Sequence, residues 1–417
     1  VERLALVIPS STYKAPQLLR AATRLGLEPV VVTDQPQALD WVMGSSLVVG
    51  DLDGLARHAE ELLARLGDPP PVAVVGVDDA TVQLANAANA LLGVPHHPPS
   101  ALSAALDKGA SRRCWAEAGV SQPSWVELRL SDDALEAADA VGFPAVVKPV
   151  ALTASRGVQR VDTIDELVSA IGQARSIAES AGRFAEGRVV VEALVDGPEV
   201  ALDGVIVNGA LRPLAIFDKP EASVSGPGFP ETVLVTPSRL SVEDRQALVE
   251  TVGAAVSALG LSDGPVHAEA RLAGPGRPLM LELAPRTIGG RCGEVVDLAG
   301  GATLTEAACD VLLGRPLPHP APRDRAAGVR MVLPEERGRF LGLDGIDATR
   351  ALPGITGVEL ALGPGTSVAP LPEDGRYLAF VFARAQSAAE VEAALAAARS
   401  TLVARIAPVA STAGAPR

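Results

Sequence analysis

The first hundred residues alternate short aliphatic runs with helical patterns, and no other feature restricts the fold of this chain as much. Leu4–Ile8, Pro29–Thr33 and Pro71–Val77 are runs dominated by Val, Leu and Ala. Apolar runs of that length, with no polar alternation, suit parallel strands covered on both faces. Pro16 opens a helical pattern that Gly26 stops, Ala56–Leu66 forms a second, and Thr81–Leu92, closed by Gly93, a third. The alternation predicts a doubly wound parallel α/β domain over residues 1–98. No G-x-G-x-x-G follows the first run, so a dinucleotide site there has no support.

Beyond the Pro95–Pro99 boundary the order of elements changes. Lys108–Ala118 reads as a helix with Asp107 as N-cap and Gly119 as its stop. Ser131–Val141 reads as a helix, Ala145–Lys148 and Val158–Val161 as strands around a loop, and Thr163–Glu166 as a capping box opening a helix to about Arg175. Strands over Arg188–Leu194, Val200–Val207 and Leu211–Phe217 precede a long helix, Ser241–Leu259, stopped by Gly260. Val266–Leu272 and Leu279–Leu283 then form a hairpin. Strands, a helix and more strands predict an α+β arrangement over residues 99–320, with a small lobe at about 120–194 and a large lobe at about 195–320. The Pro- and Arg-rich Pro316–Arg325 reads as a linker. Residues 326–406 make a small α+β domain whose last helix, Ala388–Ala398, is capped by Ser387 and Glu390. Residues 407–417 are expected to be a disordered tail.

Composition narrows the partners. A net charge of −14 argues against nucleic acid and anionic membranes, which need clustered Lys and Arg. It leaves room for a nucleotide, which needs only a few local cations. Cys114, Cys292 and Cys309 are widely spaced and odd in number, fitting neither a disulfide framework nor a zinc pattern, and are expected to pack. His96 and His97 lie in a Pro-rich turn, expected to be solvated. No run approaches the roughly 20 apolar residues of a membrane helix. A reducing cytoplasm is the expected compartment.

The chemistry lies in an ordered set of charges. Lys148 ends the apolar run Val146-Val147-Lys148-Pro149, and a loop containing Ser155-Arg156-Gly157 follows at once. A fixed ammonium beside mobile backbone N–H groups suits a polyphosphate. Lys108 opens a helix, where the dipole disfavours a cation, so an anion must offset it. Glu192 and Glu199 follow a valine run. Glu269 and Glu282 stand inside strand runs, where an unpaired carboxylate is costly and a divalent cation would pair it. His267 alternates with Glu269 and so shares its sheet face. Arg286 precedes Gly289-Gly290, and its planar fork suits a carboxylate or oxyanion.

Lys108, Lys148-Pro149 with its loop, the segment Glu192 to Glu199, and Glu282 to Arg286 with Gly289-Gly290 resemble, in that order, the ATP-grasp ligase superfamily over about residues 1–325. Phe217-Asp218-Lys219-Pro220 and Gly264-Pro265-Val266-His267-Ala268-Glu269 resemble its L-amino acid ligase branch, as does the small C-terminal domain. The resemblance implies an enzyme that joins a carboxylate to an amine through an acyl phosphate. It implies ATP contacts from Lys108, Lys148, Ser155, Gly157, Glu192, Leu194, Glu199 and Leu281, with Glu199 on the ribose hydroxyls. It implies Mg²⁺, or Mn²⁺ in its place, on Glu269 and Glu282, with Arg286 in the catalytic role. His267, Lys219, Gly289, Gly290 and Arg291 are the implied contacts of small-molecule acid and amine substrates, and a homodimer is the implied assembly. Two departures stand out. The family's loop is rich in Gly and Ser, but here only Gly157 supplies free φ. The family also has Asn two positions after the second metal glutamate, where this chain has Ala284. Alternative readings are a purine-pathway or biotin-carboxylase-like ATP-grasp enzyme, or a nucleotide-binding module without ligase turnover. The loops Ala151–Gly157 and Lys219–Phe229 are candidate lids.

Overall fold

A computed structural model of the chain describes residues 1–10, 12–35, 46–48, 58–222, 228–300, 303–317 and 325–408. Parts of the expected Ala56–Leu66 helix, of the Lys219–Phe229 loop and of the 316–325 linker, and nearly all of the tail, lie outside those residues. The fold is mixed α and β. It divides into two compact units, one built from Val1–Pro123, Val195–Asp218 and Thr236–Asp324, the other from Ser124–Leu194, Lys219–Val235 and Arg325–Arg417.

The first unit begins with a parallel sheet of strands Ser46–Val48, Glu28–Thr33, Arg3–Val7 and Ala73–Gly76, in that spatial order. Successive side chains of the first strand go to opposite faces. Leu4 and Leu6 pack with Leu18, Ala22 and Val31, while Ala5 and Val7 pack with Leu62, Leu84 and Ala88. Each such leucine contributes about 1.5–3 kcal/mol by leaving water. The strand order reverses between Arg3–Val7 and Ala73–Gly76. A doubly wound sheet exposes its ligand crevice at such a point, at the carboxyl ends of the strands.

The same unit holds antiparallel strands Pro278–Ala284, Gly264–Leu272, Glu199–Val207 and Ala210–Asp218, neighbours in that order. Helices Lys108–Glu117 and Val242–Leu259 cover one face through Trp115, Leu248, Val252 and Val256. The caps are as expected. Asp107 accepts the Ala110 N–H, Ser241 accepts that of Asp244, and Gly260 closes the long helix at φ +72°. Three helices that the sequence reading passed over, Pro99–Ala105, Cys292–Leu298 and Leu304–Leu312, complete the unit. Leu312 and Cys309 of the last pack under the parallel sheet.

The second unit carries an antiparallel sheet in the order Trp125–Leu128, Val189–Ala193, Ala145–Pro149, Gln159–Val161, backed by helices Ala134–Val141 and Ile164–Ser180. The first of these helices starts at Ala134 instead of Ser131, because Asp133 caps it by accepting the Leu135 N–H. The second runs on to Ser180, past the expected Arg175. Thr163 caps it, but the Glu166 carboxylate reaches the Asp162 N–H instead of completing a box. Further on, strands Ala326–Val332, Ala379–Ala385 and Ile355–Leu360 pair antiparallel, and Ala388–Thr401 covers them behind a full Ser387/Glu390 capping box.

Two expectations about single residues change. His97 is buried, not solvated, because its Nδ1 accepts the Ser262 N–H and Asn86 bridges its backbone; burial pulls its pKa down to about 4. Cys292 and Cys309 are buried and Cys114 half-buried, all three as free thiols. Among the described residues no helix is long and apolar enough to cross a membrane.

Candidate active site

Two lysines carry the phosphate expectation, and each meets a glutamate. Lys108, at the first position of its helix, reaches Glu282 at 3.3 Å, so a carboxylate of the same unit offsets the dipole. Lys148 forms an ion pair with Glu192 on the adjacent strand, and both are buried. Neither is the exposed surface charge that Lys and Glu usually are.

The segment after Glu192 has its amides committed. Ala193 N–H donates to Ser124 O at 2.9 Å and Leu194 N–H to Pro144 O at 3.1 Å. Glu199, buried, accepts from Arg271 through Nη2 at 2.7 Å and Nε at 2.9 Å. Leu281 is held through its carbonyl, which accepts from Arg112 Nη2 at 2.9 Å; the same guanidinium donates to Met280 O and lies over the Trp115 ring.

The loop after Lys148 has unusual backbone. Ala154 and Ser155 both sit at φ +55° and Gly157 at +71°. Non-glycine residues there cost roughly 1–3 kcal/mol each and need surrounding structure to hold them. That structure is the segment 370–375. Gly157 N–H donates to Pro372 O at 2.8 Å and Arg156 Nε to Glu373 O at 3.3 Å. A Cβ on Gly157 would press on the Pro149 ring.

In the first unit, Glu269 and Glu282 stand directly opposite each other on paired strands. A β-bulge sets this register, with Leu281 as the extra residue. Like charges facing across a ladder are unfavourable without a cation. Lys108 lies on one side of the pair, and His267 Nε2 is 3.5 Å from Glu269 on the other. His267 lies opposite Asp203 on one neighbouring strand and Ala284 on the other. Burial alone would lower its pKa; the Asp203 and Glu269 carboxylates, each 3.5 Å from a ring nitrogen, carry it up to about 9. Burial pushes the Asp203 carboxyl upward, partly offset by His267.

The donor set fits a magnesium ion only in part. Two carboxylates face each other with the oxygen chemistry Mg²⁺ prefers. Among the described residues no group of three or more His, Cys, Asp or Glu is placed to hold a metal. Ala284 is buried and offers no ligand. The remaining vertices would fall to phosphate oxygens and water.

Arg286 is half-buried and bound. Its Nε donates to Asp79 Oδ1 at 2.5 Å and its Nη1 to Thr287 O at 3.2 Å. Burial would lower its pKa, but Asp79 more than reverses that; burial likewise raises Asp79, and Arg286 holds it below the usual carboxylate range. Gly290 N–H donates to the Tyr13 hydroxyl at 2.8 Å, and a Cβ on Gly289 would sit 2.9 Å from that hydroxyl. Arg291 turns to Glu294, with contacts of 2.7 Å. Lys219 pairs with Glu231 at 3.2 Å, and its neighbour Asp218 accepts from Ser238 and Arg239.

The first unit thus brings together Lys108, His267, Glu269, Glu282, Arg286, Gly289 and Gly290. Lys148, Ser155, Gly157, Glu192, Leu194 and Lys219 lie in the second. Sequence reading missed Tyr13, Lys14, Asp79 and Asp203. Lys14 and Asp79 follow strands of the parallel sheet, at the carboxyl ends where the topology rule looks for ligands. The sequence there carries no glycine fingerprint that would mark them. Asp203 is an acid inside an apolar strand, the same signal that singled out Glu269 and Glu282.

Two family models match the chain, an ATP-grasp domain over residues 141–295 and the L-amino acid ligase C-terminal domain 2 over residues 330–407. The chain carries an ATP-grasp domain over residues 141–295. An L-amino acid ligase from Bacillus licheniformis superposes with a TM-score of 0.81 at 23% identity, over 98% of this chain and 99% of that one. An uncharacterized protein of Sinorhizobium fredii is 26% identical over 90% of this chain and 77% of its own length. A D-alanine–D-alanine ligase of Magnetococcus marinus is 28% identical over 58% of this chain and 77% of its own length. The chain therefore resembles carboxylate–amine ligases, and the solved structure supports the fold.

Proposed function

We propose that this protein is an ATP-dependent ligase that joins the carboxylate of an amino acid or related acid to an amine, forming an amide or peptide bond with release of ADP and phosphate. The observation that carries the reading is the opposed pair Glu269 and Glu282, with Lys108 bonded to one of them and the Arg286 loop in the same unit. The C-terminal match to the L-amino acid ligases and the likeness to a D-alanine–D-alanine ligase favour amino acids as substrates.

In this reading a substrate carboxylate oxygen attacks the γ-phosphorus, the bond to the β-phosphate bridging oxygen breaks, and acyl phosphate and ADP result. Lys108, beside Glu282, places positive charge against the phosphate oxygens. Glu269 and Glu282 would hold magnesium, which would supply charge neutralisation at the phosphate oxygens. The amine then attacks the acyl carbon, loses a proton, and phosphate leaves. Arg286 and the Gly289 N–H take the charge of the tetrahedral oxygen. Glu199 offers its carboxylate to the ribose hydroxyls. His267, fixed between Asp203 and Glu269, faces the amine side.

The test is phosphate release from MgATP over the twenty L-amino acids, their D-alanine counterpart and bicarbonate, singly and in pairs. Turnover that needs an acid and an amine together is expected. Turnover with bicarbonate alone would favour a biotin-carboxylase-like chemistry. ATP binding with no turnover on any pair would leave a nucleotide-binding module.

A further inference from the structure

The loop that carries Arg286 is anchored by side chains from outside it at almost every residue. Arg286 is held by Asp79, and Ile288 N–H donates to Asp203 Oδ1 at 3.0 Å. Between and beyond them the anchors come from one short turn after the first strand. Lys14 Nζ donates to Thr287 O at 3.0 Å and to Val77 O at 3.1 Å, and the Tyr13 hydroxyl accepts from Gly290 N–H at 2.8 Å. Lys14 therefore ties the loop to the end of the Ala73–Gly76 strand, beside the point where the strand order reverses.

Packing alone would not select this arrangement. The loop is followed by Arg291 at φ +58°, a left-handed backbone that a non-glycine residue keeps only where its surroundings impose it. Taking a lysine partly out of water is costly, and doing so near a second cation more so. Burial, and then the charge of Arg286, pull the Lys14 pKa down to about 8. Two neutral carbonyls could be tethered more cheaply by an amide. A cation in that position also repels the Arg286 guanidinium, which holds it against Asp79.

We propose that Tyr13 and Lys14 are positioning residues for acyl transfer: they set the path of residues 286–290, and through it the aim of Arg286 and the Gly289 N–H. The proposal rests on the ligase reading for its catalytic consequence, but not for the clamp itself. Neither residue is assigned contact with the nucleotide or the reacting atoms.

The test uses the full-length protein and the variants Tyr13→Phe and Lys14→Met. Tyr13→Phe removes a single oxygen, so it remains informative if Lys14→Met fails to fold. Hydrogen exchange of the peptide spanning residues 285–292, with no ligand present, should rise about tenfold in each variant. MgADP affinity, read by calorimetry, should stay within about twofold. With the fastest acid–amine pair of the panel, kcat should fall about 10- to 100-fold while KM for MgATP is unchanged, since an ångström of misplacement costs about that much. Unchanged exchange overturns the clamp. Raised exchange with normal kcat overturns the positioning role, and so does a loss of MgADP affinity that matches the loss of kcat. If the wild-type protein turns over no pair, the ligase reading fails by itself, and the exchange measurement still decides whether the clamp exists.

Discussion

Two loops of this protein are held in place by opposite means. Residues 286–290 are fixed by side chains: Asp79, Lys14, Asp203 and Tyr13. Residues 154–157 are fixed by backbone: Pro372 O and Glu373 O accept from the loop, and Gly375 leaves room for Ala154. The two lysine pairs differ in a parallel way. Lys148 and Glu192 are buried together within a sheet, while the Lys108–Glu282 pair bridges a helix and a strand with the Glu282 side chain still 28% exposed. The side-chain-held loop can be loosened one group at a time. The backbone-held loop can be moved only by changing the shape of what it rests on. In the ligase reading proposed above, the buried lysine serves folding as well as chemistry, whereas the less buried pair is left to chemistry.

The sharpest way to break that contrast is to remove one partner from each pair. Lys148→Ala strands the Glu192 carboxylate inside the sheet, and breaking a buried pair costs about 3–5 kcal/mol. A large fall in Tm is expected together with loss of phosphate release. Glu282→Ala should abolish turnover to a similar extent, by several kcal/mol of lost charge stabilisation, with Tm little changed. Adding Glu192→Gln to Lys148→Ala should recover much of the stability and none of the activity. Equal Tm losses for Lys148→Ala and Glu282→Ala would show that the two pairs are buried alike in solution.

A milder change addresses the loops. Gly375→Ala removes no functional group, but its Cβ would come within 2.6 Å of Ala154 O and 2.8 Å of Ala154 Cβ. Backbone cannot yield as a side chain can, so a stability cost of about 1–3 kcal/mol is expected. With the loop displaced, KM for MgATP should rise several-fold while kcat at saturation changes less. That is the reverse of the split expected for Tyr13→Phe, and finding the same split in both variants would erase the distinction between the loops.

The same distinction explains what could be read from the chain. Helix caps and stops were legible because Asp107, Ser241, Ser387 and Gly260 act within a turn of their own position. The paired strands of Glu269 and Glu282 were legible because an acid in an aliphatic run has to be accounted for. Asp203 sent the same signal and went unread. The hold of Pro372 on Gly157 had no signature at all, since any residue supplies a carbonyl. The buried His97 was misread because local proline-rich composition says nothing of Ser262, far along the chain. The Leu281 bulge was invisible for a similar reason: register is a property of two strands, and only one is seen at a time.

Position 284 offers the smallest effect and the finest test of how the first unit handles charge. Ala284 is buried and lies directly across the ladder from His267, on the face that carries Glu269 and Glu282. With no side-chain ligand there, any Mg²⁺ on the two glutamates keeps water or phosphate at that vertex, which Mg²⁺ tolerates well. Ala284→Asn would place an amide oxygen beside the carboxylates. It would also add volume to a packed position, at a cost of about 1–3 kcal/mol. The expected outcome is a few-fold lower Mg²⁺ concentration for half-maximal turnover, a Tm lowered by a few degrees, and an unchanged ranking of acid and amine pairs. A Mg²⁺ titration of phosphate release on both proteins reads the first, and the substrate panel reads the last. If the pair ranking shifts while the Mg²⁺ dependence does not, position 284 lines the substrate pocket, and the carboxylates of Glu269 and Glu282 face away from the metal assigned to them. If Ala284→Asn gains turnover where the parent has none, the parent chain binds nucleotide without ligation, and the opposed glutamates alone do not suffice for chemistry.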